Sequence, residues 1–373
     1  MTKTGIANLP LHYGKAPKWL FKRMVSLSES IIDVIIHEFS YEFFLNRLSD
    51  PFWFQALSCV LGYDWHSSGT TTVTCGALKE ATKNRDFGLA ITGGKGKASK
   101  NTLYEIEKKS ELFNLSLNSI KKFQYFSRMS AKIDNTAIQD GFNLYHHVFI
   151  FTEDKLWAVI QQGLNSDTKY ARRYHWLSKD LKSFIIEPHK SILCDKQQEN
   201  VLDMTSKKSI EAQNISVDLV NDNPNHLKCD FVRLSLSKYQ KTLYDWNENF
   251  NNHPENLYMP RNVNWLKMKE IYEFQPKNYE ELLSIKGVGP NTIRALALIS
   301  DLIYGEKPSW SDPVKYSFTV GGKDGVPYPV DGKAMDQSIE ILNTAIKQAK
   351  IGDYERIQSI KRLRRFVPAT QHI

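Results

Sequence analysis

Apolar residues recur at intervals of three and four from Trp19 through Leu20, Met24, Leu27, Ile31 and Ile35 to Phe39, with Lys22, Ser28 and Glu29 between them. That spacing predicts an amphipathic helix over residues 18–39. Asp50-Pro51 then supplies an N-cap and a first-turn proline for a buried helix through Phe52, Phe54, Leu57, Val60 and Leu61, which Gly62 stops. Tyr63 to Gly69 reads as a polar loop, Thr70 to Thr74 as a β-branched strand, and Gly76 to Lys83 as a short helix. Residues 88–92 form a brief apolar strand. Helical spacing returns over 116–132 with Leu117, Ile120, Phe123, Phe126 and Met129. The runs 147–151 and 156–161 flank Thr152-Glu153-Asp154-Lys155 and predict a β-hairpin.

The stretch 186–260 is rich in Asn, Asp, Ser and Lys, and its pattern supports only a helix near 207–214 and a strand near 230–235. Helical spacing resumes at 264–273, 278–284, 290–304, 334–348 and 353–365. The fold class is therefore α+β. A mixed N-terminal domain with short strands and a β-hairpin covers 1–185, a variable connecting region covers 186–262, and an all-α C-terminal domain covers 263–373. A chain of 373 residues, 41% hydrophobic and 24% charged, is long enough for several packed units and lacks the bias of a disordered or fibrous protein.

The longest apolar run, 31–36, is interrupted by Asp33 and is too short to span a bilayer, so no membrane partner is expected. With no apolar leader and cleavage site near the N-terminus, the expected location is cytoplasmic. Cys59, Cys75, Cys194 and Cys229 lie too far apart for a C-x-x-C zinc site and read as reduced thiols. The net charge is +8, and residues 63–185 alone hold 18 Lys and Arg against 12 Asp and Glu. An anionic partner would be gripped there.

The most specific local motif is Leu282-Leu283-Ser284-Ile285-Lys286-Gly287-Val288-Gly289-Pro290-Asn291-Thr292-Ile293-Arg294-Ala295. It resembles the helix-hairpin-helix module of DNA-repair and replication proteins, and it identifies DNA as the expected partner. Gly287 and Gly289 let the backbone approach a phosphate, Val288 sits between them, and the helix starting at Pro290 offers free N–H groups. Lys286, Asn291 and Thr292 add side-chain donors. Such contacts grip the backbone without reading sequence. An ordinary glycine turn between two helices has the same spacing. In some glycosylases with this module an aspartate follows the hairpin and a lysine follows its last glycine. Asp312 lies near the first position, but Asn291 occupies the second.

Further blocks extend along the chain: Leu9-Pro10-Leu11-His12-x-Gly14-Lys15-Ala16-Pro17-x-Trp19-Leu20, Leu48-Ser49-Asp50-Pro51-Phe52-Trp53, Asp64-Trp65-His66-Ser67-Ser68-Gly69 and Gly93-Gly94-Lys95-Gly96-Lys97-Ala98-Ser99. Gln139-Asp140-Gly141, Tyr145-His146-His147, Gln161-Gln162-Gly163, Ala171-Arg172-Arg173-Tyr174-His175-Trp176 and Gly321-Gly322-Lys323-Asp324-Gly325 continue the series. Together they resemble the archaeal and bacterial family known as domain of unknown function 763. The resemblance implies a DNA-repair role, with a lyase acting on abasic sites among the family's activities.

Such a lyase needs a neutral lysine to attack the sugar aldehyde, and desolvation or neighbouring cations ease loss of its proton. Lys95 and Lys97 meet that need on a glycine-rich loop with Lys100 nearby, and the same loop suits phosphate binding. Lys132 is the alternative, with Asp134 and Asp140 as groups that could move the proton. His66 is a further acid, base or phosphate contact, and Arg172 and Arg173 join cations to aromatics beside DNA. This chemistry requires no metal or small-molecule cofactor. The rival reading is a metal-dependent nuclease using Asp134, Asp140 and His147; His146 and His147, adjacent on a strand, would face opposite sides. A third reading is a non-catalytic DNA-binding protein.

Overall fold

The computed structural model describes residues 16–63, 68–83, 86–194, 197–237, 259–314 and 332–366. Four helices come first: α1 (Lys18–Glu38), α2 (Tyr41–Leu48), α3 (Pro51–Leu61) and α4 (Ser68–Ala81). The Asp50 carboxylate accepts N–H bonds from Phe52 and Trp53 at the start of α3, and Gly62 ends the helix at φ +94°. Both punctuation marks were legible in the sequence, whereas α2, capped by Ser40, was not.

Thr70 to Thr74 is helix rather than strand. Ser68, Thr70, Thr71, Thr74, Cys75, Ala77, Leu78 and Ala81 are the buried positions of α4, and they recur with helical spacing. Burial of that stripe outweighs the β preference of threonine.

The chain then alternates: β1 (Leu89–Lys95), the helical turn α5 (Lys97–Lys100), α6 (Thr102–Leu112), α7 (Leu117–Lys132) and a π-helical turn, Ile133–Ala137. β2 (Ile138–Gln139), β3 (Asn143–Thr152), β4 (Trp157–Leu164), β5 (Ala171–Leu177), β6 (Ser191–Leu193) and β7 (Leu202–Asp203) follow. Five strands form an antiparallel sheet in the order β1-β3-β4-β5-β6, and β2 pairs with β7.

Successive residues of this sheet enter two separate cores. Leu89, Ile91, Val148, Ile150, Ala158, Ile160 and Leu177 pack with α1 to α4. Ala90, Phe149, Phe151, Trp157, Val159 and Trp176 pack on the opposite side. The sheet is thus buried on both faces, which is why β5 carries no exposed residue and its strands show no clean polar alternation.

The second layer is built largely from α7, α8 (Ile210–Asn221), α9 (Pro224–Ser237), α10 (Trp265–Phe274), α11 (Tyr279–Ser284) and α12 (Pro290–Leu302). The strand expected near 230–235 is the middle of α9, where Leu227, Phe231 and Leu234 face that core at helical spacing. Residues within 186–262 therefore help to build it, with Ala212, Val217, Leu219 and Val220 of α8 meeting Ile293, Leu296 and Ile299 of α12.

The last two helices, α13 (Gly332–Gln348) and α14 (Asp353–Phe366), join the first layer instead. Leu342, Ala345, Ile346 and Leu363 pack with α1 and α3, and the Arg362 guanidinium donates to the Val60 carbonyl at 3.0 Å. Among the described residues no helix is long and apolar enough to cross a membrane.

Candidate functional site

At one end of the sheet, where β3 begins, β4 ends and β5 begins, the interior turns polar. His146, His147, Gln161, Gln162, Arg172, Arg173 and His175 are all buried there. Alternation along each strand divides them between the two layers.

On the side of α7, His147 bonds through Nε2 to the Ser127 hydroxyl and through Nδ1 to the Gln161 side-chain oxygen, each at 2.8 Å. The Gln161 amide N–H donates to Asp134 Oδ2 at 2.5 Å, the Trp176 indole N–H reaches the same oxygen at 3.1 Å, and His189 bonds Oδ1. An indole can only donate, so Oδ2 is an acceptor. Gln161 must therefore present its N–H to Asp134 and its oxygen to His147. The Nδ1 of His147 carries the proton, Nε2 is the acceptor, and Ser127 is the donor. Burial lowers the His147 pKa to about 4, partly offset by its bond to Gln161, so the ring is neutral near pH 7.

Next along β5, Arg172 makes a buried ionic bridge. It donates to Asp140 at 2.9 Å and to both oxygens of Asp312 at 2.9 and 2.6 Å, while Tyr174 donates to Asp140 at 2.6 Å. Burial opposes the arginine's charge, but Asp140 overcomes that and holds its pKa well above the ordinary value.

The side facing α1 to α4 is different. Arg173 donates to His175 at 2.9 Å and to Gln55 and Thr71 at 3.3 Å, and among the described residues it meets no carboxylate. Burial lowers its pKa to about 9. Neither nitrogen of His146 has a hydrogen-bond partner among the described residues, and burial, with His147 and Lys95 nearby, depresses that imidazole to about 3.

A cleft of about 240 Å³ opens between α5, α6, α7 and the start of β3. Ser127 and His147 lie in its wall together with Ser99, Lys100, Arg128 and Tyr145, and among the described residues no carboxylate lines it. Lys95, exposed at the end of β1, lies 5.7 Å over the Tyr145 ring.

The far end of α7 meets the glycine turn between α11 and α12. Lys132 donates to the carbonyls of Val288 and, at 3.5 Å, Ile285. Desolvation lowers the pKa of this half-buried amine. Gly287, at φ +95°, takes a conformation that disfavours any side chain, and an added Cβ would meet Lys267 at 3.0 Å. An added Cβ on Gly289 would meet nothing within 4 Å, so the backbone there is open.

A family model described as "Protein of unknown function (DUF763)" matches residues 5–330. The chain belongs to this family. No curated protein and no solved structure matches it.

In this member of the DUF763 family the residues singled out from the sequence fall into three groups. Lys286, Gly287 and Asn291 are exposed around the turn and Gly289 is half-buried, but Val288 and Thr292 face inward, Val288 as part of the second core. Lys95 and Lys97 are exposed; Gly93 and Gly94 belong to β1, where an added Cβ on Gly93 would fall 2.2 Å from the His147 carbonyl. The glycines thus serve close strand contact as well as the loop.

Arg172 and Arg173 do not face DNA: both are 0% exposed, because β5 is covered on each side. Asp134 and Asp140 are likewise buried and held by donors from the protein, so neither lies where a sugar could meet it. The nuclease trio of Asp134, Asp140 and His147 is engaged in the same way, and among the described residues no group of three or more His, Cys, Asp or Glu is arranged to hold a metal ion. His66 and the segment Gly321 to Asp331 lie outside the described residues. Ser127, Gln161 and His189 escaped sequence reasoning. The pairs Gln161-Gln162 and Arg172-Arg173 inside apolar strands were the available signal, since adjacent strand residues send one polar group to each face.

Proposed function

We propose that this protein binds the DNA backbone through the glycine turn of α11 and α12 and cleaves at abasic sites through an imine formed by Lys132. One observation carries the reading: a lysine with a desolvation-lowered pKa stands against the turn that would hold the phosphate. The exposed Lys286 and Gly287, the open backbone at Gly289 and the start of α12 form a surface suited to a phosphate.

In the reaction the neutral amine attacks the C1′ aldehyde, and water leaves to give the imine. The imine acidifies C2′, a proton departs from that carbon, and the bond from C3′ to the phosphate oxygen breaks. Partial burial favours the neutral form of the Lys132 amine.

The test is incubation of the full chain with abasic-site DNA in EDTA and sodium borohydride. A covalent adduct in the parent and its loss in Lys132→Met are expected. An adduct that survives Lys132→Met but vanishes in Lys95→Ala or Lys97→Ala would move the amine to the glycine-rich segment. Cleavage seen only with added divalent metal would overturn the lyase reading.

A further inference from the structure

We propose that Ser127 is a second nucleophile, activated by His147 and directed at the phosphoryl group of a phosphodiester held in the cleft between α5, α6, α7 and β3. A nucleophilic hydroxyl is recognised by a base within hydrogen-bond reach and by a third group that orients the base. Here the hydroxyl-to-imidazole distance is 2.8 Å, the imidazole-to-Gln161 distance is 2.8 Å, and Asp134 fixes Gln161 from behind at 2.5 Å.

The direction of these bonds matters. Because Ser127 donates to His147, its oxygen keeps its lone pairs for an electrophile instead of offering a proton to an anion. A hydroxyl placed to bind phosphate would have the opposite polarity. The wall supplies the complementary charge: Lys100 and Arg128 line the cleft, and among the described residues neither has an acidic partner and no carboxylate joins them in the wall. Cations lining the same cleft favour a phosphoryl electrophile over a neutral ester, since they offset the negative charge of its oxygens.

The step balances without an outside reagent other than water. The Ser127 oxygen forms a bond to phosphorus as the bond to one bridging oxygen breaks. The hydroxyl proton passes to His147 Nε2 and from there to the departing oxygen. Water then attacks phosphorus and gives its proton to His147, which passes it to the Ser127 oxygen as the serine–phosphorus bond breaks, so the net change is hydrolysis of a diester to a monoester and an alcohol. Lys132 takes no part, and the inference stands apart from the lyase reading.

The experiment treats the full chain with a fluorophosphonate, which labels activated serines, and maps the adduct by peptide mass spectrometry. Modification at Ser127 is expected, with complete loss in Ser127→Ala and at least a tenfold slower reaction in His147→Gln. Ser130→Ala, one turn-step away on α7, should label like the parent. Absence of label on Ser127 in the folded parent would overturn the proposal, and so would undiminished labelling in a folded His147→Gln. Borohydride trapping at Lys132 reads a different adduct on a different residue, so either reaction can fail without the other.

Discussion

The two faces of the central sheet bury the same kinds of side chain at the same end and treat them in opposite ways. Facing α7, Arg172 meets two carboxylates, and His147 and Gln161 are bonded at both ends. Facing α1 to α4, Arg173 rests on neutral groups and on the Phe54 ring at 4.5 Å, and His146 bonds to nothing among the described residues. A buried polar group is dangerous to remove in proportion to what it leaves unpaired, so residues adjacent in sequence should respond very differently to the same substitution.

The arginines offer the largest contrast. Arg172→Met strands Asp140 and Asp312 in the interior and should cost about 3–5 kcal/mol in chemical denaturation. Among the described residues Arg173→Met leaves no buried carboxylate behind, and it should cost less than about 1.5 kcal/mol. Equal losses would break the comparison.

The histidines sharpen it. His147→Phe abandons the Ser127 hydroxyl and the Gln161 amide, a loss of about 1–3 kcal/mol, whereas His146→Phe forfeits no hydrogen bond among the described residues and should leave stability at neutral pH nearly unchanged. Their folded pKa values, about 4 and about 3, lie below the ordinary 6.5, so on acidification the unfolded chain takes up the proton first. Stability from this source is complete above about pH 6.5 and is lost as the pH falls toward each folded value. Asp134, Asp140 and Asp203, pushed up by burial, act in the opposite sense, so the readout is a difference between proteins. The loss of stability on going from about pH 7 to about pH 5 should be smaller in His146→Phe than in the parent. An identical slope in both would show that His146 is not held unprotonated by the fold.

The smallest effect belongs to the exposed rim. Lys95→Ala should shift stability by no more than about 0.5 kcal/mol, because its amine lies in solvent above Tyr145. A larger loss would mean that the rim shares the constraints of the interior.

These contrasts also explain what the sequence disclosed. Local chemistry was readable: the Asp50 cap, the Gly62 stop, the hairpin around Glu153 and the helices of the glycine turn depend on neighbours in the chain. Thr70 to Thr74 misled because its state is set by the core it enters. Arg172 and Arg173 suggested a DNA-facing patch because a cation beside an aromatic has the same sequence appearance on a surface as in an interior. The Ser127, His147 and Gln161 chain joins α7, β3 and β4, and no spacing rule connects those positions. What could be inferred was that a double polar residue inside a strand feeds both faces, as adjacent His146 and His147 already implied.

The return of α13 and α14 to the first layer has a consequence for the order of folding. Arg362 bonds a carbonyl 302 residues earlier, and Leu342, Ala345, Ile346 and Leu363 complete the core begun by α1 and α3. During synthesis the first helices leave the ribosome well before the segments that cover them, so part of their apolar surface must wait. The earliest-made layer is thus among the last to close, and a nascent chain stopped short of α13 would expose it.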